Sequence, residues 1–430
     1  MKKCISLSFI ILIGTLNALA LEAESMNNTG KGAFYTGIYR NLFKEILGKS
    51  DCEMNAKVNA AFQQLFYGND NQRLYYETGN DMAYIKDIAH NDIRSEGMSY
   101  GMMICVQLDK KAEFDKLWKW AKTYMQYPES NSFSGYFAWQ CKDTGEKIGG
   151  DATSPAPDGE AYFITSLFFA SHRWGDSTGI YNYKAEAQYI LEKILSKDGT
   201  GNAYNMFDPE TRLITFVPDH EGRTYTDPSY QLPAFFELWA RWSDTNSGFW
   251  ATTPPAARTL LQHASHKATG LFTDYCNFDG TPYKAWFNTD SDRFQFDAWR
   301  CAMNLGMDYH WFKKDSIGQR GVMTRLLTFF QNQGTNYVAH YNWDGADPAG
   351  DHSTGMIACN AVGCFAVDDK NLITPFIQEL WDLPVPTGLY RYYDGMLYML
   401  SLLHVTDNFR IWKESSGELN CWMKGANVII

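Results

Sequence analysis

One pattern recurs along this chain and leaves few folds open to it. A polar residue is followed by a small or turn-forming one, then by a run of apolar and small residues at helical length. The pattern appears at Glu96–Met103, Asp158–Ala170, Asp227–Ala240, Asp297–Leu305, His352–Val367 and Asp394–Leu403, six blocks in all. Between them lie segments of another kind, with apolar residues at i, i+3 and i+4 and charged outer faces: Phe114–Met125, Tyr183–Leu195, Ala256–His266 and Val322–Phe330, with Cys52–Phe66 ahead of the first block. A helix apolar on every side must be buried on every side, and a one-sided helix must lie over it. The alternation predicts an all-α fold, an (α/α)6 barrel: a toroid of six inner and six outer helices. Because each inner block opens on its polar residue, those residues gather at one rim. Leu213–Val217 and Tyr136–Trp139 are the candidate strands, and any sheet is expected to be small and peripheral.

Composition narrows the function. The 430 residues are 45% hydrophobic and 20% charged, which excludes a disordered or fibrous chain. With 49 acidic against 38 basic residues, a net of −11, and no basic run, no nucleic-acid partner is expected. Aromatic residues make up 16% of the chain, more than a core needs, so some rings are expected to face a cleft.

Residues 1–20 read as an export signal: Lys2 and Lys3, an apolar stretch Ile5–Ile13, and a small-residue cleavage site at Ala18-Leu19-Ala20. A periplasmic or secreted protein is expected. The apolar stretch is too short to span a bilayer and no later stretch is apolar enough, so no membrane insertion is expected. Residues 21–31 read as a flexible N-terminal segment. No linker divides residues 32 to 412, so 32–430 is expected to be a single (α/α)6 domain, and a monomer is expected.

Eight cysteines would follow cleavage (Cys52, Cys105, Cys141, Cys276, Cys301, Cys359, Cys364 and Cys421), at spacings that match no zinc or redox motif. Most are expected to be buried free thiols. His263 and His266 lack a companion Glu motif, and Gly30, Gly32 and Gly37 fit no phosphate loop, so neither a metal nor a cofactor is expected.

Two acids brought together at an aromatic cleft are what glycoside hydrolysis needs, one to protonate the leaving oxygen and one to activate water or attack the sugar. The rim offers Glu96, Asp158, Asp227, Asp297 and Asp394. An acid at a helix N-terminus can equally be a cap. Gly97-Met98-Ser99-Tyr100-Gly101 also matches the nucleophile elbow of serine esterases, but the polar Ala89–Ser95 before it is no buried strand. A non-catalytic sugar-binding protein is the other competing class.

The stretch Arg94-Ser95-Glu96-Gly97-Met98-Ser99-Tyr100-Gly101-Met102-Met103 resembles the signature around the general acid of glycoside hydrolase family 8, inverting enzymes with an (α/α)6 barrel. Further stretches resemble that family in order from about residue 32 to 412, most closely its reducing-end xylose-releasing exo-oligoxylanases. They are Gly32-Ala33-Phe34-Tyr35-Thr36, Tyr136-Phe137-Ala138-Trp139, Pro155-Ala156-Pro157-Asp158-Gly159-Glu160, Phe168–Gly175, Asp227-Pro228-Ser229-Tyr230 and Arg391-Tyr392-Tyr393-Asp394.

The resemblance implies Glu96 as general acid, Asp297 as general base, and Asp158 as a third acid holding the distorted sugar. It makes Tyr230 and Arg300 the residues that position the base and its water. Trp139 is expected to be a sugar-stacking platform, Tyr393 a further substrate contact, and His352 a contact to the reducing-end sugar that closes the cleft beyond it. Asp290 and Asp292 lie close by, but only Asp297 precedes the Ala-x-Arg pattern. The implied substrate is a β-1,4-linked xylo-oligosaccharide, with endo action on xylan, β-glucan or chitosan as the alternative. Burial and the charge of Asp158 should raise the pKa of Glu96, while Arg300 or Tyr230 should keep Asp297 ionised through hydrogen bonds. Inversion requires about 6.5–9.5 Å between the two carboxyls.

Overall fold

A computed structural model describes residues 30–150 and 153–414. The expected export signal, most of the segment 21–31 and Cys421 lie outside the described residues. Twelve helices carry the architecture: α1 (Asp51–Tyr67), α2 (Ser95–Gln107), α3 (Lys111–Trp120), α4 (Pro157–Trp174), α5 (Tyr183–Lys193), α6 (Pro233–Trp242), α7 (Ser247–Ala264), α8 (Phe296–Trp311), α9 (Ser316–Gln333), α10 (Thr354–Gly363), α11 (Lys370–Asp382) and α12 (Arg391–Val405). The even-numbered helices pack side by side in chain order, and α12 closes the ring against α2. Helices α3 to α11 of the odd set each lie against the inner helix before them, and α1 lies against α12. The molecule is therefore the (α/α)6 barrel that the alternating blocks predict.

The two shells follow from their side chains. In α4 every residue from Pro157 to Ser171 is buried, and in α2 every residue but Glu96. Helix α1, by contrast, buries the single stripe Met54, Val58, Ala61, Phe62, Leu65 and Phe66, and starts with a reciprocal Ser50–Glu53 capping box. Large rings lock shell to shell. Trp239 of α6 is fully buried, packs edge-on against Trp250 of α7, and donates its indole N–H to Thr165 of α4 (3.1 Å). Truncating such a ring costs about 3–5 kcal/mol.

Three two-stranded antiparallel ribbons are present among the described residues: β1 (Tyr75–Thr78) with β2 (Met82–Ile85), β3 (Ile93–Arg94) with β4 (Gln140–Cys141), and β5 (Arg293–Phe294) with β6 (Tyr341–Asn342). Strand β3 runs directly into α2, and β5 reaches α8 through one residue, so these ribbons fix where the first turns of both helices begin.

The two candidate strands of the sequence do not form. Residues 213–217 contribute one isolated bridge, Phe207 to Ile214, and 136–139 another, Gln126 to Phe137, because neither segment finds a neighbouring strand to pair along. Helix α7 begins nine residues before the expected Ala256, since Pro254 and Pro255 are accommodated inside it rather than marking its start. All seven described cysteines are free thiols, six of them buried.

Candidate active site

Four of the six polar residues that open the inner blocks converge on one point at the rim, three of them by a shared device. Glu96, Asp158 and Asp297 each occupy the second residue of their helix, α2, α4 and α8. The helices approach closely there. A Cβ on Gly159 would lie 2.6 Å from Ser95 Oγ, and one on Gly97 would lie 2.6 Å from the Tyr392 hydroxyl. The glycines after Glu96 and Asp158 thus let α2, α4 and α12 meet where the carboxyls project, whereas Asp297 is followed by Ala298. Asp227 arrives differently, on a short 3-10 turn (Pro228–Tyr230) before α6, where its Oδ1 accepts from Ser229 N at 2.6 Å.

Arg300, one turn into α8 and 3% exposed at its side chain, gathers these acids. Its Nη1 donates to Glu96 Oε2 (2.9 Å) and Asp158 Oδ2 (2.8 Å), and its Nη2 to Asp297 Oδ1 (2.8 Å) and, more weakly, Asp227 Oδ2 (3.4 Å). Both nitrogens belong to one rigid fork and are about 2.3 Å apart, so the bonded oxygens of Glu96 and Asp297 lie within about 8 Å of each other. That bound is compatible with the ~6.5–9.5 Å separation that leaves room for one water. The other oxygen of Glu96 accepts from the Tyr392 hydroxyl at 2.9 Å.

Four carboxyls share this one guanidinium, and one positive charge cannot balance four negative ones in a buried setting. Protonation relieves the excess. Burial is the largest influence on Glu96 and lifts its pKa to about 7; Arg300 opposes the shift, and Asp158 and Asp297 add to it. Burial likewise raises Asp158, against the pull of Arg300, and raises Asp227 well above the usual carboxyl range, with Asp297 adding repulsion. Asp297, with 28% of its side chain exposed, holds its ion pair to Arg300 at the open edge.

The cleft above these groups encloses about 610 Å³ and is lined by Glu96, Asp158, Asp297, Arg300, Tyr230 and Trp139, among others. Trp139 stands beside Glu96 because Ser95 N donates to its carbonyl (3.0 Å), and Arg94 stacks over its ring at 5.6 Å. Tyr230 lies under Arg300, 5.6 Å from ring centre to guanidinium, and its hydroxyl is not hydrogen-bonded to Asp297. Tyr393 flanks Arg300 at 5.9 Å and donates its hydroxyl to the carbonyl of Phe296.

His352, like Tyr393, is not among the residues that line this cleft. Its Nδ1 meets the carbonyl of Tyr337 and its Nε2 meets Glu379 Oε1, each at 2.5 Å. Asp394 serves as a cap, accepting from Ser353 Oγ and Gly355 N, both at 2.8 Å, at the start of α10. Asp290 is exposed, and Asp292 reaches only Lys284, so neither competes with Asp297 for the cleft. Ser99 lies buried inside α2 and donates to the carbonyl of Glu96, with no nucleophile elbow. Among the described residues no group of three or more His, Cys, Asp or Glu is arranged to hold a metal ion.

Two features carry no motif in the sequence. Asp274, buried in a loop, accepts from Gln295 Nε2 (2.7 Å) and from Ala298 N (3.2 Å), supplying from 24 residues away the N-terminal cap that α8 lacks locally. A group of rings, Phe216, Tyr225, Tyr275, Trp286 and Phe287, forms part of the wall of the cleft. The aromatic richness of the chain hinted at such a wall without saying which rings build it.

An (α/α)6 barrel with paired acids at its rim, clasped by one buried arginine beneath an aromatic cleft, defines a glycoside hydrolase. Residues 79–407 match Glycosyl hydrolases family 8, and the chain belongs to that family. Among its relatives is the reducing-end xylose-releasing exo-oligoxylanase Rex8A of Paenibacillus barcinonensis, 40% identical over 391 residues that cover 90% of this chain and 100% of that one. A reducing end xylose-releasing exo-oligoxylanase of Halalkalibacterium halodurans is 38% identical over 90% of this chain and 98% of its own. The fold also matches the crystal structure of a family 8 catalytic-mutant xylanase from Teredinibacter turnerae in complex with xylohexaose, with a TM-score of 0.85, 44% identity, and coverage of 89% of this chain and 100% of that one.

Proposed function

We propose that this protein is an inverting hydrolase that releases xylose from the reducing end of β-1,4-linked xylo-oligosaccharides. Glu96, protonated below a pKa of about 7, delivers its proton to the glycosidic oxygen as the bond to the anomeric carbon breaks. Asp297 takes a proton from a water attacking the opposite face, so the configuration inverts. Asp158 holds the ring of the sugar being cleaved in its strained form, and Arg300 keeps acid, base and this third carboxyl in register. Two carboxyls and water suffice for the chemistry, so it calls for no cofactor.

The observation that carries this reading is the shared guanidinium, which ties the expected acid and the expected base to one point in one cleft. The identity to exo-oligoxylanases supports the substrate and the mode of attack. The test is hydrolysis of xylotriose labelled at its reducing end. Labelled xylose with unlabelled xylobiose is expected; labelled xylobiose as the sole labelled product would overturn it.

One observation favours a second reading. His352, the residue expected to close the cleft beyond the reducing-end sugar, is instead engaged by Glu379 and Tyr337. A cleft open at that end would admit a polymer and allow endo action, and long oligomers released from xylan would identify it. The Lys2–Ala20 pattern supports a periplasmic or secreted protein, which a mature N-terminus at Leu21 would test; a monomeric mass in solution is expected.

A further inference from the structure

Among the described residues two tryptophans are exposed, Trp139 at 36% and Trp286 at 75%, and both line the same cleft, whereas Trp118, Trp120, Trp239, Trp250 and Trp311 are fully buried. Trp139 stands beside the general acid. Trp286 stands at the end of an aromatic path that starts under Arg300. Tyr230 stacks on Phe216 (6.3 Å, 7° between planes), Phe216 stacks on Phe287 (5.9 Å, 23°), and Phe287 meets Trp286 edge to face (5.6 Å, 87°). Phe287 is itself 51% exposed.

The indole is not left to swing. Its N–H donates to Glu221 Oε1 at 2.6 Å, a charge-assisted bond across two loops, 217–224 and 285–292. The pin is held in turn: Asp219 Oδ1 accepts from the backbone N–H of Glu221 (3.1 Å) and of Gly222 (2.7 Å), and Asp219 Oδ2 accepts from Ser154 Oγ (3.1 Å) on the opposite wall. A large apolar face kept bare and fixed in one orientation loses little further freedom when a flat apolar partner covers it. The apolar face of a pyranose is such a partner, and the continuity of the rings with Arg300 says where that sugar belongs.

We propose that Trp286, fixed by Glu221, is a stacking platform for a sugar unit remote from the scissile bond, so that the cleft reads more of the oligosaccharide than its catalytic cluster touches. This rests on the xylo-oligosaccharide reading above and deepens it: occupation of Trp286 requires a chain longer than the shortest substrate, and specificity rises with length.

The test compares kcat/KM on xylohexaose with kcat/KM on xylotriose. The ratio is expected to fall about tenfold in Trp286→Ala, the factor that ~1.4 kcal/mol of lost stacking represents, and to be largely restored in Trp286→Phe, which keeps a ring. Glu221→Ala, which frees the indole without removing it, is expected to lower the ratio about threefold. Ratios equal to wild type in folded Trp286→Ala overturn the proposal; should that variant fail to fold, an unchanged ratio in Glu221→Ala does so. A wild-type protein that turns over neither xylo-oligosaccharide defeats the substrate reading instead, so the two failures are distinct.

Discussion

Glu96 is pulled two ways. At the second residue of α2 the helix dipole favours its charged form by about 0.3–1 kcal/mol. Raising its pKa from 4.5 to about 7 takes on the order of 3 kcal/mol in the opposite direction, so burial decides. The consequence is a proton available near neutrality and lost above it: kcat/KM is expected to fall as pH rises through about 7, with an alkaline limb that a pH–rate profile will show. Glu96→Gln and Asp297→Asn should each keep oligosaccharide binding, measurable by calorimetry, and lose about 10²–10⁴-fold in kcat; near-normal turnover in either removes that residue from its role. These acids were legible in the sequence because each opens a motif at a helix start. Asp274 was not, because Thr273-Asp274-Tyr275 has no periodicity, and nothing local ties that loop to the first turn of α8. His352 was legible as a block-opening residue, but its partner Glu379 comes from an outer helix, α11, that no motif links to it.

At the scale of helices, the site depends on how closely the inner N-termini approach. The Cβ that Gly97→Ala would add lies 2.6 Å from the ring and hydroxyl of Tyr392, whose hydroxyl donates to Glu96. Either Tyr392 retreats or α2 shifts, and a strain of about 1–3 kcal/mol is expected from such overpacking. Thermal unfolding should report that loss, and kcat should fall more than KM rises, because the moved group touches the acid rather than the cleft walls. The barrel was readable because inner and outer helices bury different fractions of their surface, which writes two different patterns along the chain. The ribbons were not: β3 and β5 are two residues long, too short for any alternation to register, and owe their pairing to partners 46 to 49 residues away. Helix starts blurred for the same kind of reason, as with the internal prolines of α7, whose lost hydrogen bonds are offset by packing such as that of Trp250 against Trp239.

The whole molecule buries acids and imidazoles in neutral form at opposite ends of the inner helices, and this sets how its stability varies with pH. Glu160, fully buried in α4, has its pKa lifted to about 8 chiefly by burial; Phe137 N donates to one of its oxygens, and the other has no partner. Between pH 4.5 and about 8 the folded chain keeps a proton here that the unfolded chain has released, so stability falls as pH rises through that window. His310, near the far end of α8, has its pKa pushed down to about 3 by burial, and His404 in α12 is lowered in the same way. Below about 6.5 the unfolded chain binds protons that these rings refuse, so stability falls as pH drops. The two slopes oppose each other between pH 4.5 and 6.5, and above 6.5 only the acid slope remains. Glu160→Gln copies the shape of the neutral acid and cannot ionise. Denaturant unfolding at pH 6.5 and pH 8 should therefore show wild type losing stability over that interval and Glu160→Gln losing less, with an advantage on the order of a few kcal/mol at pH 8. Equal losses in both proteins would mean that Glu160 is already ionised in the folded state, and that the buried acids around Arg300 carry the slope instead.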